Sequence, residues 1–193
     1  MISILDLDHQ HSVELADKLK LITNQFNITL TEYELLKSDK IIISFSGSIQ
    51  KVIRKIHLMN LFSALRMISD KPVLGINSGM YLMCESVGEI ACLGIIPEAI
   101  TKTENQIIKE TNSNFTEIIK IENDPLLNDI ENICDFYFED FLLIPKSQFT
   151  TSVFRNNPDI SASVRKNNFF GVQFFPQKSG ENGLKVLRNF VEL

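Results

Sequence analysis

The sequence lacks tryptophan and contains only three cysteines and three histidines among its 193 residues. Cys84, Cys92 and Cys134 form no C-x-x-C pair, and an odd number suits a reducing compartment better than a disulfide framework. No apolar run is long enough to cross a bilayer, and the first residues do not resemble a signal peptide. We therefore expect a cytoplasmic protein without a membrane segment.

Basic charge is also scarce. Lysine and arginine total 19 against 24 aspartates and glutamates, which gives a formal net charge of -5. Binding to a phosphate backbone needs a basic surface, so we expect no nucleic-acid partner. The apolar content of 44% and charged content of 22% are those of an ordinary globular protein. Without internal repeats or long linkers, residues 1–193 are predicted to form a single domain.

Apolar segments alternate with amphipathic ones in the first half of the chain. Residues 2–7, 40–44 and 73–76 are predicted strands. A helix that buries Val13, Ala16, Leu19 and Ile22 is expected after the first strand, and one long helix from Ile49 through Leu65 after the second. This order predicts an α/β domain with a mainly parallel sheet. Further short strands are predicted at 115–121, 135–138, 149–154, 160–165 and 170–174.

Residues 72–80 have the pattern of a nucleophile elbow, in which a strand turns sharply into a helix. Gly75 and Gly79 flank the turn, and Asn77 occupies the apex where a Ser or Cys would be the nucleophile. Asparagine tolerates the left-handed backbone of such a turn. Its neutral amide is neither a nucleophile nor a general base. The pattern therefore predicts the elbow geometry without its chemistry, and a purely structural turn is the alternative.

A second motif lies at residues 169–180, and together the two motifs resemble the class I glutamine amidotransferases, most closely the glutaminase subunit of imidazole glycerol phosphate synthase. The family elbow is G-[IV]-C-L-G-M-Q and its C-terminal signature is G-[VF]-Q-F-H-P-E-K-S. By this resemblance the family's Cys, His and Glu correspond to Asn77, Phe175 and Gln177. None of the three replacements can perform the original step. The resemblance thus implies a flavodoxin-like three-layer fold with a degenerate triad.

The similarity extends along nearly the whole chain, and the departures fall on functional segments. Similar segments are residues 1–6, 94–97, 125–127, 136–138 and 180–190. The oxyanion motif P-G-V-G appears as residues 44–47, ending in Gly47, and the glutamine-contacting H-S-Y appears as Glu139, Asp140 and Phe141. The family's P-H-M-G-W-N, which faces the synthase barrel, appears as residues 111–116. The remnants of the oxyanion site and elbow are then Gly47, Gly75, Ser78 and Gly79, and the candidate ligand or partner contacts are Tyr81, Asn114, Phe115, Glu139 and Asp140.

Two residues near the elbow are candidate substitutes for the missing nucleophile. Ser78 lies one position past the apex, so its side chain is expected to point away from the site while its N–H stays near the oxyanion position. Cys84 is expected on the helix after the elbow, where packing is the usual role of a free cysteine. We expect neither to act as a nucleophile.

Other chemistry-bearing residues are Asp6, His9 and His11 near the end of the first strand, where open α/β folds bind ligands. An exposed loop is the simplest interpretation of the two histidines, with a metal or phosphate contact as the alternative. Glu139 and Asp140 are adjacent in a strand and face opposite sides, so a solvated pair is expected rather than an acid and base. No metal site and no cofactor are predicted.

The leading hypothesis is a catalytically inactive amidotransferase-like protein that binds a synthase barrel, a related enzyme or a second copy of itself. In it, Phe175 is expected to be buried against the neighbours of Phe174 or against Tyr81. One alternative is an enzyme of the same fold with recruited residues such as Asp6, His9, His11 or Glu139. Another is a structural subunit of an ammonia-dependent imidazole glycerol phosphate synthase in histidine biosynthesis.

Overall fold

The structure is a computed structural model that describes residues 1–101, 114–139 and 142–193. Its first half alternates strands and helices, as the apolar pattern predicts. In chain order these elements are β1 (Ile2–Leu5), α1 (His9–Leu19), β2 (Phe26–Thr29), α2 (Glu32–Lys37), β3 (Lys40–Phe45), α3 (Ile49–Leu58), α4 (Leu61–Met67), β4 (Val73–Asn77) and α5 (Ser78–Met83).

The second half consists mainly of strands and ends in a helix. Its elements are β5 (Cys84–Val87), β6 (Ile90–Ala91), β7 (Ile96–Ile100), β8 (Phe115–Lys120), β9 (Ile133–Tyr137), β10 (Thr150–Phe154), β11 (Asn157–Lys166), β12 (Phe169–Val172) and α6 (Gly180–Glu192). A short 3-10 helix, Pro125–Leu127, lies between β8 and β9, and a second, Pro176–Lys178, lies between β12 and α6.

Within the described residues, one large sheet has the strand order β2-β1-β3-β4-β12-β11-β10-β8-β9. The strands from β2 to β12 run parallel to one another. From β12 to β9 every neighbouring pair is antiparallel. A small second sheet contains β6, β5 and β7. The predicted α/β fold is confirmed, and its parallel half, which includes the elbow strand β4, is extended by an antiparallel half.

Helices cover both faces of the parallel half and give the three layers that the resemblance implies. One apolar cluster joins α1 and α6 to the sheet through residues such as Leu15, Leu19 and Phe190. The other joins α2, α3, α4 and α5 to the opposite face through residues such as Ile56 and Leu65. Because both faces are covered, a parallel strand is apolar along its length, as in β3 with Ile41, Ile42 and Ile43 all buried.

Three predictions about the helices are wrong, and each has a structural reason. The predicted long helix from Ile49 is two helices, since Asn60 adopts a left-handed conformation with φ of 57° and ends the run. The buried face of α1 contains His11, Leu15 and Leu19, while Val13 is exposed. The elbow helix is short, so Cys84 begins β5 instead of lying on that helix.

The elements β2, α2, β5, β6 and β7 were not expected from the sequence. No helix of the described residues is both long enough and apolar enough to cross a membrane.

The carboxyl ends of β1, β3, β4 and β12 meet at one edge of the sheet, because these strands are parallel. The candidate site lies at that edge.

Candidate functional site

Asn77 ends β4 at the apex of the elbow in a conformation that few residues adopt. Its backbone has φ of 50° and ψ of -114°, and its side chain is fully buried. Its Nδ2 donates to the backbone oxygen of Gln173 at 3.0 Å. The strained turn of an elbow is therefore present, and the side chain at its apex is an amide held by the neighbouring chain segment.

Gly75 and Gly79 are required by packing around the turn. A Cβ on Gly79 would lie 1.9 Å from the backbone oxygen of Ile43, and one on Gly75 would lie 2.6 Å from the Met83 Cε. Only glycine lets α5 approach β3 and β4 this closely. Gly47, after β3, has φ of +93° with open space around it, so its role is conformational. The elbow glycines thus have a structural reason to be present, independent of catalysis.

Ser78 does not point away from the apex as expected. It is buried, and its hydroxyl donates to Asn77 Oδ1 at 3.3 Å, because the tight turn brings the two side chains together. None of the hydrogen bonds described for this hydroxyl goes to a histidine. The hydroxyl therefore lacks the general base that a serine nucleophile needs.

Tyr81 is also held inside the protein. It is 4% exposed, and its hydroxyl donates to Gln173 Oε1 at 2.7 Å. The same Oε1 accepts from the backbone N–H of Leu142 at 3.0 Å, and Gln173 Nε2 donates to the Ser161 oxygen at 2.5 Å. Gln173 thus ties the elbow helix, β11 and the segment at 142 together. This network leaves Tyr81 without the ligand-facing role that the sequence suggested.

Phe175 is fully buried, as expected, but its described ring partner is His11 rather than Tyr81. The two rings stack with centroids 5.5 Å apart and planes 26° apart. His11 is itself 7% exposed, so the expectation of an exposed loop is wrong for it. Its Nε2 lies 2.9 Å from Ser46 Oγ. An imidazole therefore lies beside the position of the family's histidine, but it comes from α1 and is bonded to the segment after β3.

Gln177 is buried with no hydrogen-bond partner for either its Oε1 or its Nε2 among the described residues. It is 4% exposed. In the resemblance this position orients the histidine, and the histidine position is now a phenyl ring. Burying an unsatisfied amide is costly, and most native polar groups avoid it.

Three other polar atoms at this edge of the sheet are buried without a hydrogen-bond partner in the described parts of the chain. They are Asp6 Oδ1, Ser44 Oγ and His11 Nδ1. Asp6 and Ser44 lie at the same level of the neighbouring strands β1 and β3. Each comes directly after a member of the pair that Leu5 forms with Ile43. This edge therefore has a concentration of unsatisfied polar groups that an ordinary hydrophobic core lacks.

An ionic cluster lies beside Phe175. Lys178 Nζ is 2.5 Å from Glu139 Oε1 and 3.2 Å from Glu14 Oε2, and it lies 5.5 Å from the centre of the Phe175 ring. Burial alone lowers the pKa of Lys178, but the bonds to Glu139 and Glu14 outweigh it and raise that pKa above its usual value. Glu139 is thus ion-paired, not simply solvated. Asp140 and Phe141 lie outside the described residues.

Convergence of side chains such as Asp6, His9, His11 or Glu139 into one cleft would favour the hypothesis of recruited residues. The structure holds them in separate pairs: Asp6 with His9 at 3.2 Å, His11 with Ser46, and Glu139 with Lys178. The described residues contain no group of three or more His, Cys, Asp or Glu side chains arranged to hold a metal ion.

The three thiols are all free and buried. Burial raises the pKa of Cys92 and of Cys134 to about 11, and it raises the pKa of Cys84 further. A thiol is nucleophilic as the thiolate, so burial keeps all three unreactive near neutral pH. This agrees with the expectation of packing roles.

Asn114 and Phe115 lie on the surface near the ionic cluster. Asn114 Nδ2 donates to the Tyr137 hydroxyl at 2.9 Å, and the Phe115 ring meets the Tyr137 ring edge-on at 5.6 Å. Phe115 is 44% exposed. Lys178 lies 5.9 Å from the Tyr137 ring, which joins this surface to the ionic cluster.

Four residues that contribute to the site were not predicted from the sequence: Glu14, Ser46, Gln173 and Lys178. Gln173 and Lys178 belong to the C-terminal motif and could have been flagged from it. The pairing of Ser46 with His11 spans 35 positions in the chain and has no local sequence signal.

The family model described as glutamine amidotransferase class-I matches residues 3–193. The imidazole glycerol phosphate synthase subunit HisH of Buchnera aphidicola subsp. Schizaphis graminum is 30% identical over 167 residues, which are 82% of each chain. Subunit HisH 1 of Campylobacter jejuni strain 81-176 is 29% identical over the full length of both chains. A crystal structure described as a glutamine amidotransferase is 13% identical and superposes with a TM-score of 0.76, covering 99% of this chain and 97% of its own.

Proposed function

This chain belongs to the class I glutamine amidotransferase family, and from that premise we propose that it acts by binding a protein partner and does not hydrolyse glutamine. The observation that carries the proposal is the apex of the elbow. Where glutamine hydrolysis needs an activated nucleophile, Asn77 presents a buried amide bonded to Gln173.

The surroundings of Asn77 support the same proposal. A nucleophile depends on a base, and the base depends on a group that orients it. Here the two further positions are a buried phenyl ring, Phe175, and a buried amide, Gln177, that makes no described hydrogen bond. All three positions of the catalytic triad therefore differ from the family, and none of Asn77, Phe175 and Gln177 can act as nucleophile, base or orienting group.

A protein partner is the second half of the proposal. The relatives from Buchnera and Campylobacter are named as synthase subunits, which favours a barrel synthase or a related enzyme as the partner of this chain, with a homodimer as the alternative. The surface we propose for contact includes Asn114, Phe115 and Glu139, beside Lys178. The segment 111–116, which by the resemblance faces the synthase barrel, belongs to this surface as well, and its residues 111–113 lie outside the described residues. We propose a cytoplasmic location for the complex.

An enzyme with recruited residues is the second candidate, and the hydrogen bond between His11 and Ser46 is the observation that favours it. Against it, His11 Nδ1 has no described carboxylate or carbonyl to orient the ring. A structural subunit of an ammonia-dependent synthase would be a specific case of the partner-binding proposal.

Co-purification from the source organism, with light scattering of the purified chain, tests partner binding. We expect a stable complex or a dimer, and Phe115→Ser should weaken it about tenfold or more by removing an exposed aromatic anchor. Leu21→Ser is the matched control, because Leu21 is 66% exposed and lies near the opposite edge strand β2. A monomer without any associated protein, or equal weakening by the two substitutions, would contradict this surface.

A further inference from the structure

A second cleft lies at the amino ends of β4 and β12, opposite the edge that contains Asn77. Its volume is about 250 Å³. Its polar lining comes from Arg66, Ser69, Lys166 and Asn167, and its apolar lining includes Leu93 and Phe169. None of these residues takes part in the elbow, the ionic cluster or the proposed partner surface.

Hydrogen bonds fix the walls of this cleft. Lys166 Nζ donates to the Ile95 oxygen at 2.6 Å, and Asn168 Nδ2 donates to the Ser69 oxygen at 3.0 Å. Both bonds connect the turn between β11 and β12 to a neighbouring loop. The Leu93 backbone N–H is held by the Leu82 oxygen at 2.9 Å. Since the walls are tied together, little ordering is needed when a ligand binds.

The charge of the cleft is opposite to that of the whole protein. Two cationic side chains, Arg66 and Lys166, line it, and none of its lining residues carries a carboxylate, although the chain has a formal net charge of -5. Arg66 forms no ion pair among the described residues, and its guanidinium lies 5.9 Å from the Phe62 ring. An ammonium has three N–H donors, so Lys166 keeps two after bonding to Ile95.

We propose that this cleft binds a small organic anion, a carboxylate or a phosphate monoester, whose apolar part contacts the partly buried Ile95 in the lining. Guanidinium and ammonium groups give the strongest hydrogen bonds to such anions. The volume is below the usual range for drug-sized ligands, so the ligand should be a single small ring or a short chain. This site is separate from the proposed function, and either can fail without the other.

Titration of the ¹⁵N-labelled full chain with benzoate and with phenyl phosphate tests the site. We expect saturable shifts of the amide signals of Gly94 and Asn167, and none with benzylamine, a cation of similar shape. The two anions separate a preference for carboxylate from one for phosphate. Arg66→Gln and Lys166→Gln should each weaken binding about tenfold or more. Both substitutions remove the positive charge and retain N–H donors, so the loss of binding measures the contribution of the charge.

Arg155→Gln is the matched control, because Arg155 is exposed, pairs with Glu117 at 2.6 Å and does not line the cleft. Its anion binding should equal that of the unmodified chain. Equal shifts with benzylamine, shifts that never saturate, or equal weakening by Arg155→Gln would each overturn the proposal and indicate non-specific charge attraction.

Discussion

Asn77 and Gln177 show how single residues determine what this edge of the sheet can do. Asn77 keeps the elbow backbone and replaces its nucleophile by an amide that bonds to Gln173. Gln177 keeps a polar side chain where a histidine would need orientation, but its neighbour is now Phe175. The amide of Asn77 forms a hydrogen bond, whereas that of Gln177 forms none among the described residues. The site therefore contains one buried amide, that of Gln177, without a hydrogen-bond partner in the described part of the chain.

The unsatisfied amide of Gln177 leads to a prediction about stability. Gln177→Met keeps the volume and removes a buried group without a described partner, so we expect the free energy of unfolding to rise by about 1–2 kcal/mol in urea titrations. Gln173→Met is the matched control. It should lower that free energy by about 3 kcal/mol, because it removes the amide that accepts from the Tyr81 hydroxyl and the Leu142 N–H and that donates to the Ser161 oxygen. A loss of stability in both variants would mean that Gln177 has a partner after all.

At the scale of elements, the elbow is held by close packing of α5 on β3 and β4. The glycines of the turn are explained by this packing, so their presence alone does not indicate a working site. The support for a protein partner comes instead from the relatives named as synthase subunits and from the exposed surface around Phe115.

Gly79→Ala tests the packing account. The added Cβ would lie 1.9 Å from the Ile43 oxygen, so α5 would have to move, and we expect a loss of about 3 kcal/mol or more in the free energy of unfolding. Gly94→Ala adds the same methyl group in open space at φ of +64° and should cost about 1 kcal/mol. Similar losses in both variants would show that α5 can move to accept the added Cβ at little cost, and would contradict the packing explanation.

The ionic cluster connects α1, the 3-10 helix Pro176–Lys178 and the segment after β9. Burial raises the pKa of Glu14, but hydrogen bonds from Gln10 and Lys178 outweigh it and hold that pKa below the usual 4.5. A carboxyl with a lowered pKa contributes stability above its unfolded pKa. That contribution is lost as the pH falls through the folded pKa.

Lys178→Met should therefore destabilise the protein by about 1 kcal/mol at pH 7, a small value because the paired side chains are about a third exposed. The difference from the unmodified chain should shrink at a second, acid pH that lies below the lowered folded pKa of Glu14, where this carboxylate is protonated. Urea titrations at the two pH values measure it. Lys20→Met, which removes an exposed pair with Asp17, should have almost no effect. A Lys178 effect that is equal at both pH values would point to lost packing on Phe175 instead.

At the scale of the whole molecule, the sequence predicted most of the parallel half and the elbow. Continuous apolar runs such as that in β3 carry a strong signal, since both faces of the sheet are covered. The strand β2 was missed because its alternation of apolar and polar side chains extends over only four residues, which is too short a signal. The break at Asn60 contains no Gly or Pro, and its one local signal is the asparagine itself, which tolerates the left-handed conformation. The positions that correspond to the family's triad could be identified from two sequence motifs. The stacking of His11 on Phe175 could not, because it depends on the packing of segments that are distant in the sequence.

The central claim is that this amidotransferase fold has no glutaminase activity, and steady ammonia release from glutamine measures it most directly. We expect none from the unmodified chain and none from Asn77→Cys, because a nucleophile without base and orienting group recovers little. Even the triple variant Asn77→Cys, Phe175→His, Gln177→Glu should be weak, since the oxyanion segment at 44–47 is also altered and one missing donor costs about a hundredfold or more. Sustained ammonia release by the unmodified protein that is abolished by Ser78→Ala or Cys84→Ala would contradict the account and identify the nucleophile.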